Sequence, residues 1–471
     1  MPNTTQRSLQ RLIDDHPDLV TYFRNETRAP HSRNRPGPSP VPAEVTNWRD
    51  EQRAWRETAV LFDQSHHMPE TFLKGPDALR LLTCLGINSF ANFAPGKAKQ
   101  YIACNPQGQV IGESVLQWIG DDTFELISGM HLQDWVAFNA VSGGYDVTIT
   151  RDYQTSANTQ GRTYFRFGMD GPNAEAIFQS VVEGGAPEIK FFNTKMVRIA
   201  GCDVRALRHG MAGHKGVELS GPYKDGEKVR AALLDAGRAH GLRQAGRLAY
   251  FSTPSEGGWL AYPVSAIYSS PDLKAFRDWL PADSWAGQAQ LSGSFVGRSI
   301  EEYYLTPYDM GLGRLIGFDH DFVGREALEV LADRPQRRKV TLVWNKEDVA
   351  AIHASMYAPG VPCKSIEMPV ASYGFPQADE VRSSGGELIG MSGFCGYSSN
   401  EREQLSIAVV DEACAQTGTP VTIVWGEPDG GTGKPHVERH RQIPVRATVA
   451  PAPYALAVQK MKKSGLGRSA A

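Results

Sequence analysis

The pattern of apolar and polar positions predicts helices followed by a short strand in the first part of the chain. Leu9 and Leu12 recur at helical spacing. Asn47 followed by Asp50 is typical of a helix N-terminus, because a short polar side chain there accepts a backbone hydrogen bond. The apolar run VLFD at 60–63 predicts a strand. Between them, the proline-rich segment 33–42 predicts neither a helix nor a central strand.

Two segments share one pattern, an apolar strand followed by a Gly-Pro turn and a helix. FLKGPDALRLL begins at Phe72, and FGMDGPNAEAIF begins at Phe167. A proline near the first turn is tolerated, since the backbone N–H there has no partner within the helix. We interpret the similarity as a weak internal duplication. It predicts two related sheet–helix lobes, at 46–160 and 161–335.

The pattern changes after residue 335. Short β-branched runs, KVTLVW, LSIAVV, TPVTIVWG and IPVRATVA, are separated by Gly, Asp and Pro turns. They predict antiparallel strands without intervening helices and therefore a β-barrel at 336–460. The fold expected for the chain is α+β, with an N-terminal helix and Pro-rich arm at 1–45, the two lobes, the barrel, and a tail at 461–471.

Composition and charge narrow the class of protein. Hydrophobic residues make up 41% and charged residues 21% of the chain, which is typical of globular proteins. The formal net charge of -3 argues against nucleic-acid and polybasic membrane partners. No secretory signal and no apolar stretch of membrane-spanning length is found, so we expect a cytoplasmic location. The scattered cysteines predict reduced thiols.

Common catalytic signatures are missing from the sequence. There is no G-x-x-x-x-G-K-[ST], H-E-x-x-H or G-x-S-x-G, and no G-x-G-x-x-G between a strand and a helix. This argues against nucleoside triphosphate hydrolysis, zinc proteolysis and pyridine-nucleotide chemistry. No histidine or cysteine cluster has metal-ligand spacing, so we predict no metal site.

Several polar residues are candidates for a site. Gln64, His66 and His67 follow the 60–63 strand, and two adjacent histidines on an extended chain point in opposite directions. At most one of them is therefore expected to face a pocket, and a turn with surface histidines is the simpler interpretation. Glu113 begins an apolar strand. Glu218 lies between two apolar residues, where most glutamates face solvent.

One segment near the middle of the chain, AYFSTPSEGGW, predicts a Gly-rich loop with Tyr250 and Trp259 at its ends. By itself, this segment is typical of a turn held by aromatic packing.

The blocks LFDQSHHM, KGPDA, APGKAKQYIACNPQGQVIGES, HGMAGHKGVELSGP, FVGREAL and GELIGMSGFCGYSSN occur in one order. Over about residues 46–455 they resemble the folate-dependent aminomethyltransferase superfamily, which includes the glycine-cleavage T-protein. NW-R-EQ-AWR--AVLFDQ-HHM, RHGMAG and DHDF-GR-AL are most similar to the tetrahydrofolate-dependent O-demethylases of lignin-derived methoxy-aromatic acids, of the vanillate/3-O-methylgallate and syringate type. The resemblance implies a T-protein-like fold whose two lobes form a central folate pocket.

The resemblance also implies roles for individual residues. Glu218 would bind the N–H edge of the pterin, for which a buried carboxylate is a bidentate partner. Trp259 would form an apolar wall of the pterin pocket, and Glu113 lies near an acidic position around the folate nitrogens. Gln64 and His67 match positions beside the aromatic ring of the substrate.

Two positions depart from the patterns of the relatives. Tyr250 stands where aminomethyltransferases have arginine, and the demethylases share the tyrosine. Met130 stands near the position where vanillate-type enzymes are expected to have an arginine for the substrate carboxylate. We therefore predict that the N-terminal arm supplies this charge from Arg28, Arg33 or Arg35.

The expected reaction transfers a methyl group from an aryl methyl ether to N5 of tetrahydrofolate, with Tyr250 and His67 as catalytic residues. Tyr250 is also expected to contact the folate. Two alternatives keep the fold: an amine donor, as in glycine or dimethylglycine metabolism, and a folate-binding protein without activity. The tyrosine at position 250 argues against the first, and the polar cluster argues weakly against the second. The preferred acid and the oligomeric state stay open, with syringate placed first.

Overall fold

The structure is a computed structural model. It describes residues 7–27, 39–212, 216–260, 263–371, 373–374, 376–434 and 437–463. Arg28, Arg33 and Arg35, which were expected to supply a charge to the substrate, lie outside the described residues. Their role stays a prediction.

The described residues form twelve α-helices and seventeen β-strands. The helices are α1 (Leu9–Asp15), α2 (Leu19–Asn25), α3 (Trp48–Glu57), α4 (Ala78–Leu85), α5 (Met130–Ser142), α6 (Ala174–Val181), α7 (Gly226–Gly237), α8 (Arg247–Gly257), α9 (Lys274–Trp279), α10 (Arg325–Ala332), α11 (Lys346–Ser355) and α12 (Leu456–Lys463). The strands are β1 (Ala59–Asp63), β2 (Glu70–Lys74), β3 (Ala98–Cys104), β4 (Val110–Gly120), β5 (Thr123–Ile127), β6 (Thr148–Asp152), β7 (Tyr164–Asp170), β8 (Thr194–Ile199), β9 (Cys202–Leu207), β10 (Val217–Pro222), β11 (Leu242–Ala245), β12 (Arg337–Trp344), β13 (Asp379–Arg382), β14 (Leu388–Ser398), β15 (Glu403–Asp411), β16 (Pro420–Trp425) and β17 (Ile443–Ala450). No helix in the described part of the chain is long and apolar enough to cross a lipid bilayer.

Two open sheets form the larger part of the molecule. One has six strands in the order β11-β1-β7-β10-β9-β8, and the other has five in the order β3-β4-β5-β2-β6. Strand β1 falls within the predicted first lobe, yet it pairs with β7 and β11 from the second. The α+β class and the presence of several sheet lobes are confirmed, whereas the lobe boundaries at 160 and 335 stay predictions.

Both Gly-Pro segments form the expected strand, turn and helix. β2 leads into α4, and β7 leads into α6. Gly171 in the second turn has φ +122°, a conformation that favours glycine, and a Cβ there would lie 2.7 Å from the carbonyl oxygen of Thr58. The turn is therefore packed directly against the residue that precedes β1.

The C-terminal region contains the expected barrel. Six strands close in the order β12-β15-β14-β13-β16-β17. The expectation of strands without intervening helices is wrong, because α11 lies between β12 and β13. Asn345 caps this helix by accepting hydrogen bonds from the backbone N–H groups of Glu347 and Asp348. Only Ile352 of α11 is fully buried, so the helix lacks the broad apolar face that the sequence pattern would reveal.

The expected Gly-rich loop with Tyr250 and Trp259 at its ends is also wrong, since most of that segment forms α8. Pro254 lies inside this helix and cannot donate to the carbonyl of Tyr250. The hydroxyl of Thr253 donates to that carbonyl instead, at 2.9 Å. Contacts with distant elements hold α8 in place: the indole N–H of Trp55 on α3 donates to Glu256 at 3.1 Å.

Candidate active site

A cavity of about 760 Å³ opens between the two sheets and α8. Its walls come from the turn between β1 and β2, strand β4, the start of α5, and α8. Volumes of this size are typical of sites for small organic ligands. The predicted site residues His67, Glu113, Met130, Tyr250 and Trp259 line it.

Tyr250 lies in an aromatic part of the cavity wall and is 9% exposed. Its hydroxyl donates to the sulfur of Met68 at 3.9 Å and accepts a long hydrogen bond from Nε2 of Gln64 at 3.4 Å. The ring of His67 lies 4.7 Å from the tyrosine ring, at an angle of 61°. The structure thus brings Gln64 and His67, which the resemblance had placed beside the substrate ring, next to Tyr250, which was expected to be catalytic.

Both adjacent histidines line the cavity, so the expectation that at most one would do so is wrong. Residues 65–67 form a turn rather than extended backbone, and successive side chains therefore do not alternate. His66 is held through Nδ1 by the hydroxyl of Thr155 at 2.9 Å. His67 instead contacts the rings of Tyr250 and Phe251.

The imidazole of His67 is neutral at physiological pH. Burial lowers its pKa to about 3, and the charges of Arg162 and His66 act in the same direction. A neutral imidazole can donate one hydrogen bond and accept another, but it adds no charge to the cavity.

A second group of polar contacts joins Glu113 on β4 to Gln100 on β3 and to Trp259, which follows α8 after Gly258. The carboxylate of Glu113 accepts a short hydrogen bond from the indole N–H of Trp259. It also accepts one from Nε2 of Gln100 at 2.6 Å. Trp259 remains 38% exposed, so its ring forms part of the accessible wall.

Glu218 lies beside the cavity rather than in its lining. It belongs to β10 and is 6% exposed, so its side chain does not face solvent. Its Oε1 accepts a hydrogen bond from Arg166 at 2.5 Å, and its Oε2 lies 3.7 Å from Nδ1 of His209, which does line the cavity. Burial opposes ionisation, but Arg166 and His209 outweigh it and lower the pKa of Glu218 to about 2.

Arg166 is the centre of a buried charge network that the sequence analysis missed. Besides Glu218 it donates to Glu70 at 2.9 Å and to Glu125, whose other oxygen accepts from Arg205 at 3.0 Å. The network joins the two open sheets behind the cavity. The sequence signal that could have revealed this network is a charged residue inside an apolar strand, as Arg166 is in YFRFGMD.

The start of α5 contributes Met130 and His131 to the cavity. Burial lowers the pKa of His131 to about 4, so this histidine is also neutral. Met130 provides apolar surface where a vanillate-type arginine was expected. Within the ranges that the structure describes, no group of three or more His, Cys, Asp or Glu side chains could hold a metal ion.

The sequence model of the GCVT N-terminal domain matches residues 21–265. Together with the alignments that follow, this shows that the chain belongs to the GCVT (aminomethyltransferase) family of group-transfer enzymes. It is 44% identical to syringate O-demethylase of Sphingobium sp. strain SYK-6, over 95% of this chain and 96% of that protein. It is 32% identical to sesamin methylene transferase of Sinomonas sp. strain No.22, over 88% and 90% of the two chains.

A solved structure supports the fold independently. The crystal structure of glycine cleavage system aminomethyltransferase T from Bartonella henselae superimposes with a TM-score of 0.60, covering 94% of this chain and 97% of that one. At 16% identity the likeness concerns the fold alone. The expectation of a T-protein-like fold is confirmed.

Proposed function

We propose that this protein is a tetrahydrofolate-dependent O-demethylase of methoxy-aromatic acids. It moves the methyl group of an aryl methyl ether to N5 of tetrahydrofolate, giving a phenol and 5-methyltetrahydrofolate. The observation that supports this most directly is the hydroxyl of Tyr250 in the cavity wall, beside Gln64 and the neutral ring of His67. The similarity to syringate O-demethylase over nearly the whole chain supports the same reaction.

Tyr250 would act on the leaving group. An aryl methyl ether is a poor methyl donor, because the departing phenolate carries a full negative charge. A hydroxyl that donates to the ether oxygen stabilises charge that develops only in the transition state. Tyrosine suits this role, since its ordinary pKa near 10 is close to that of many phenols. The sulfur of Met68 occupies the donor direction of this hydroxyl, where an ether oxygen could replace it.

His67 and Gln64 would orient the ring and its donor. The neutral imidazole can donate to a ring hydroxyl without placing a positive charge beside the transferring methyl group. Nε2 of Gln64 donates to the hydroxyl oxygen of Tyr250, and the tyrosine proton points towards Met68, the direction in which the ether oxygen of the substrate would lie. Both residues thus act by positioning neutral hydrogen-bonding groups.

The opposite part of the cavity fits a folate. Glu113 offers carboxylate oxygens for N–H donors, and Trp259 offers an apolar face. Hydrogen bonds from Gln100 and from the indole of Trp259 hold the carboxylate of Glu113 in place. When bound, tetrahydrofolate supplies the N5 nitrogen that receives the methyl group. Glu218 would add negative charge behind His209, and its direct contact with the pterin stays a prediction.

We further propose syringate as the preferred substrate and the cytoplasm as the location. The first rests on the 44% identity to a syringate O-demethylase. The second rests on the two small molecules of the proposed reaction. Tetrahydrofolate and aromatic acids dissolve in water, so the reaction does not require a membrane.

The test is an incubation of the purified protein with tetrahydrofolate and one of four donors: syringate, vanillate, 3-O-methylgallate or dimethylglycine. We expect 5-methyltetrahydrofolate and the corresponding phenol, with syringate the fastest. Methyl transfer from dimethylglycine alone, giving 5-methyltetrahydrofolate and N-methylglycine, would identify an amine demethylase instead. Tight folate binding without turnover of any donor would identify a binding protein.

A further inference from the structure

We propose that Arg247 binds the carboxylate of the aromatic acid and so selects acids over neutral methoxyphenols. The inference rests on the proposed function and concerns the cavity already described. Met130 stands where an arginine for this carboxylate was expected. Arg247, the first residue of α8, would supply the positive charge from a different wall of the cavity.

The charged side chains of the cavity lining favour this role for Arg247. Among the described residues that line it, Arg247 is the only arginine or lysine. The carboxylates of Asp63 and Glu113 also line it, and each would repel an acid. A carboxylate transferred from water into such a cavity needs a cationic partner, because leaving it unpaired is costly. Burial lowers the pKa of Arg247, yet an arginine remains protonated at neutral pH.

The spacing along α8 places Arg247 near Tyr250. Arg247 and Tyr250 are three residues apart, so their side chains leave the same side of the helix about 5–6 Å from each other at Cβ. This separation is comparable to the width of a substituted benzene ring. A ring with its ether oxygen at Tyr250 can therefore direct a ring carboxylate towards Arg247.

The start of α8 is held by contacts with α3 and with the N-terminal arm. The backbone N–H of Gly246 donates to Glu51 at 2.9 Å, and that of Arg247 donates to the carbonyl of Pro42 at 3.0 Å. A Cβ at Gly246 would lie 2.4 Å from the carbonyl oxygen of Ala43, so the end of the N-terminal arm packs closely here. The backbone that carries Arg247 is thus held from both sides, which favours a fixed position for its guanidinium.

The experiment compares Arg247→Gln and Arg247→Lys with wild type. The matched control is Arg243→Gln, which removes the same charge from an exposed position on β11 outside the cavity lining. Each protein is assayed with syringate and with 2,6-dimethoxyphenol, the neutral analogue that lacks the carboxylate. Tetrahydrofolate and tetrahydropteroate, which lacks the glutamate carboxylates, serve as alternative acceptors.

Arg247→Gln is expected to raise the KM for syringate about tenfold to a hundredfold, the usual effect of losing a charged hydrogen-bond partner. The KM for the neutral analogue should stay within about threefold of wild type, because it never used the charge. Arg247→Lys should recover part of the loss, since lysine keeps the charge but not the bidentate geometry. Arg243→Gln should match wild type with both donors.

Equal losses for the acid and the neutral analogue would overturn the inference, because they would mean that Arg247 only supports the fold. A loss confined to tetrahydrofolate and absent with tetrahydropteroate would also overturn it, since Arg247 would then bind the glutamate tail. So would an unchanged KM for syringate, which would return the role to the arginines of the arm. Calorimetric binding of syringate needs no turnover, so Arg247-dependent binding in a protein without demethylase activity would contradict the proposed function alone.

Discussion

Arg166 on β7 and Glu218 on β10 form an ion pair with a distance of 2.5 Å between Nη1 and Oε1, behind the wall of the cavity. The pair belongs to neighbouring antiparallel strands, and Arg166 extends it to the second sheet through Glu70 and Glu125. Because Glu218 is ionised and lies next to His209, it places a fixed negative charge behind the side of the cavity where the pterin is expected.

Glu218→Gln keeps the shape of the side chain and removes its charge. If the carboxylate acts on the pterin, the Kd for tetrahydrofolate should rise about tenfold to a hundredfold. The free energy of unfolding should fall by about 1–3 kcal/mol, because Arg166 loses one of its three carboxylates. Calorimetry and urea unfolding measure the two effects. Glu227→Gln, at an exposed position on α7, is the control. A folded Glu218→Gln protein that binds tetrahydrofolate as wild type does would exclude the cofactor role.

Tyr250→Phe tests whether the hydroxyl of Tyr250 acts as an acid at the ether oxygen of the substrate. The ring and its contacts with Phe62 and His67 remain, while the hydroxyl is lost. We expect kcat to fall by about 10²- to 10⁴-fold with little change in the Kd for syringate, since the hydroxyl acts mainly in the transition state. Single-turnover rates with saturating tetrahydrofolate measure the step directly. Tyr357→Phe, at a side chain that is 91% exposed, should have no effect. A rate within about threefold of wild type would leave Tyr250 as a wall residue only.

His67 predicts a dependence of stability on pH. Its pKa is lowered by burial from an ordinary 6.5 to about 3, so the unfolded chain binds this proton more readily than the folded one. The contribution of the neutral His67 ring to the free energy of unfolding is therefore fully present above pH 6.5 and is lost as the pH falls towards 3. Between pH 7 and pH 5 the loss should be about 2 kcal/mol.

The measurement is the free energy of urea unfolding at pH 7, 6 and 5, for wild type and His67→Gln. The variant should lose less stability on acidification than wild type does, because glutamine does not titrate. His240→Gln, which lies outside the cavity lining, should show the wild-type slope. Parallel pH curves for His67→Gln and wild type would mean that His67 is not buried as a neutral ring.

The sequence by itself determined the elements whose signals are local. The apolar run at 60–63, the Asn47 cap of α3 and the β-branched strands of the barrel follow from neighbouring residues. The order of the family blocks also led to the prediction that Gln64 and His67 lie beside the substrate ring and that Tyr250 is catalytic, before the structure brought them together. This prediction came from the resemblance and not from periodicity, because no local rule relates position 64 to position 250.

Only the tertiary structure decided the features that join distant parts of the chain. The segment with Pro254 forms a helix, and that helix is held by Trp55, which donates to Glu256 from 201 residues away in the chain. Arg166 pairs with Glu70 across 96 residues, and a charged residue in an apolar strand does not reveal its partner. Arg247 has no motif of its own. It becomes a candidate because the fold places it in a cavity with no other described lysine or arginine, and the charge of an enclosed site is a property of all its walls.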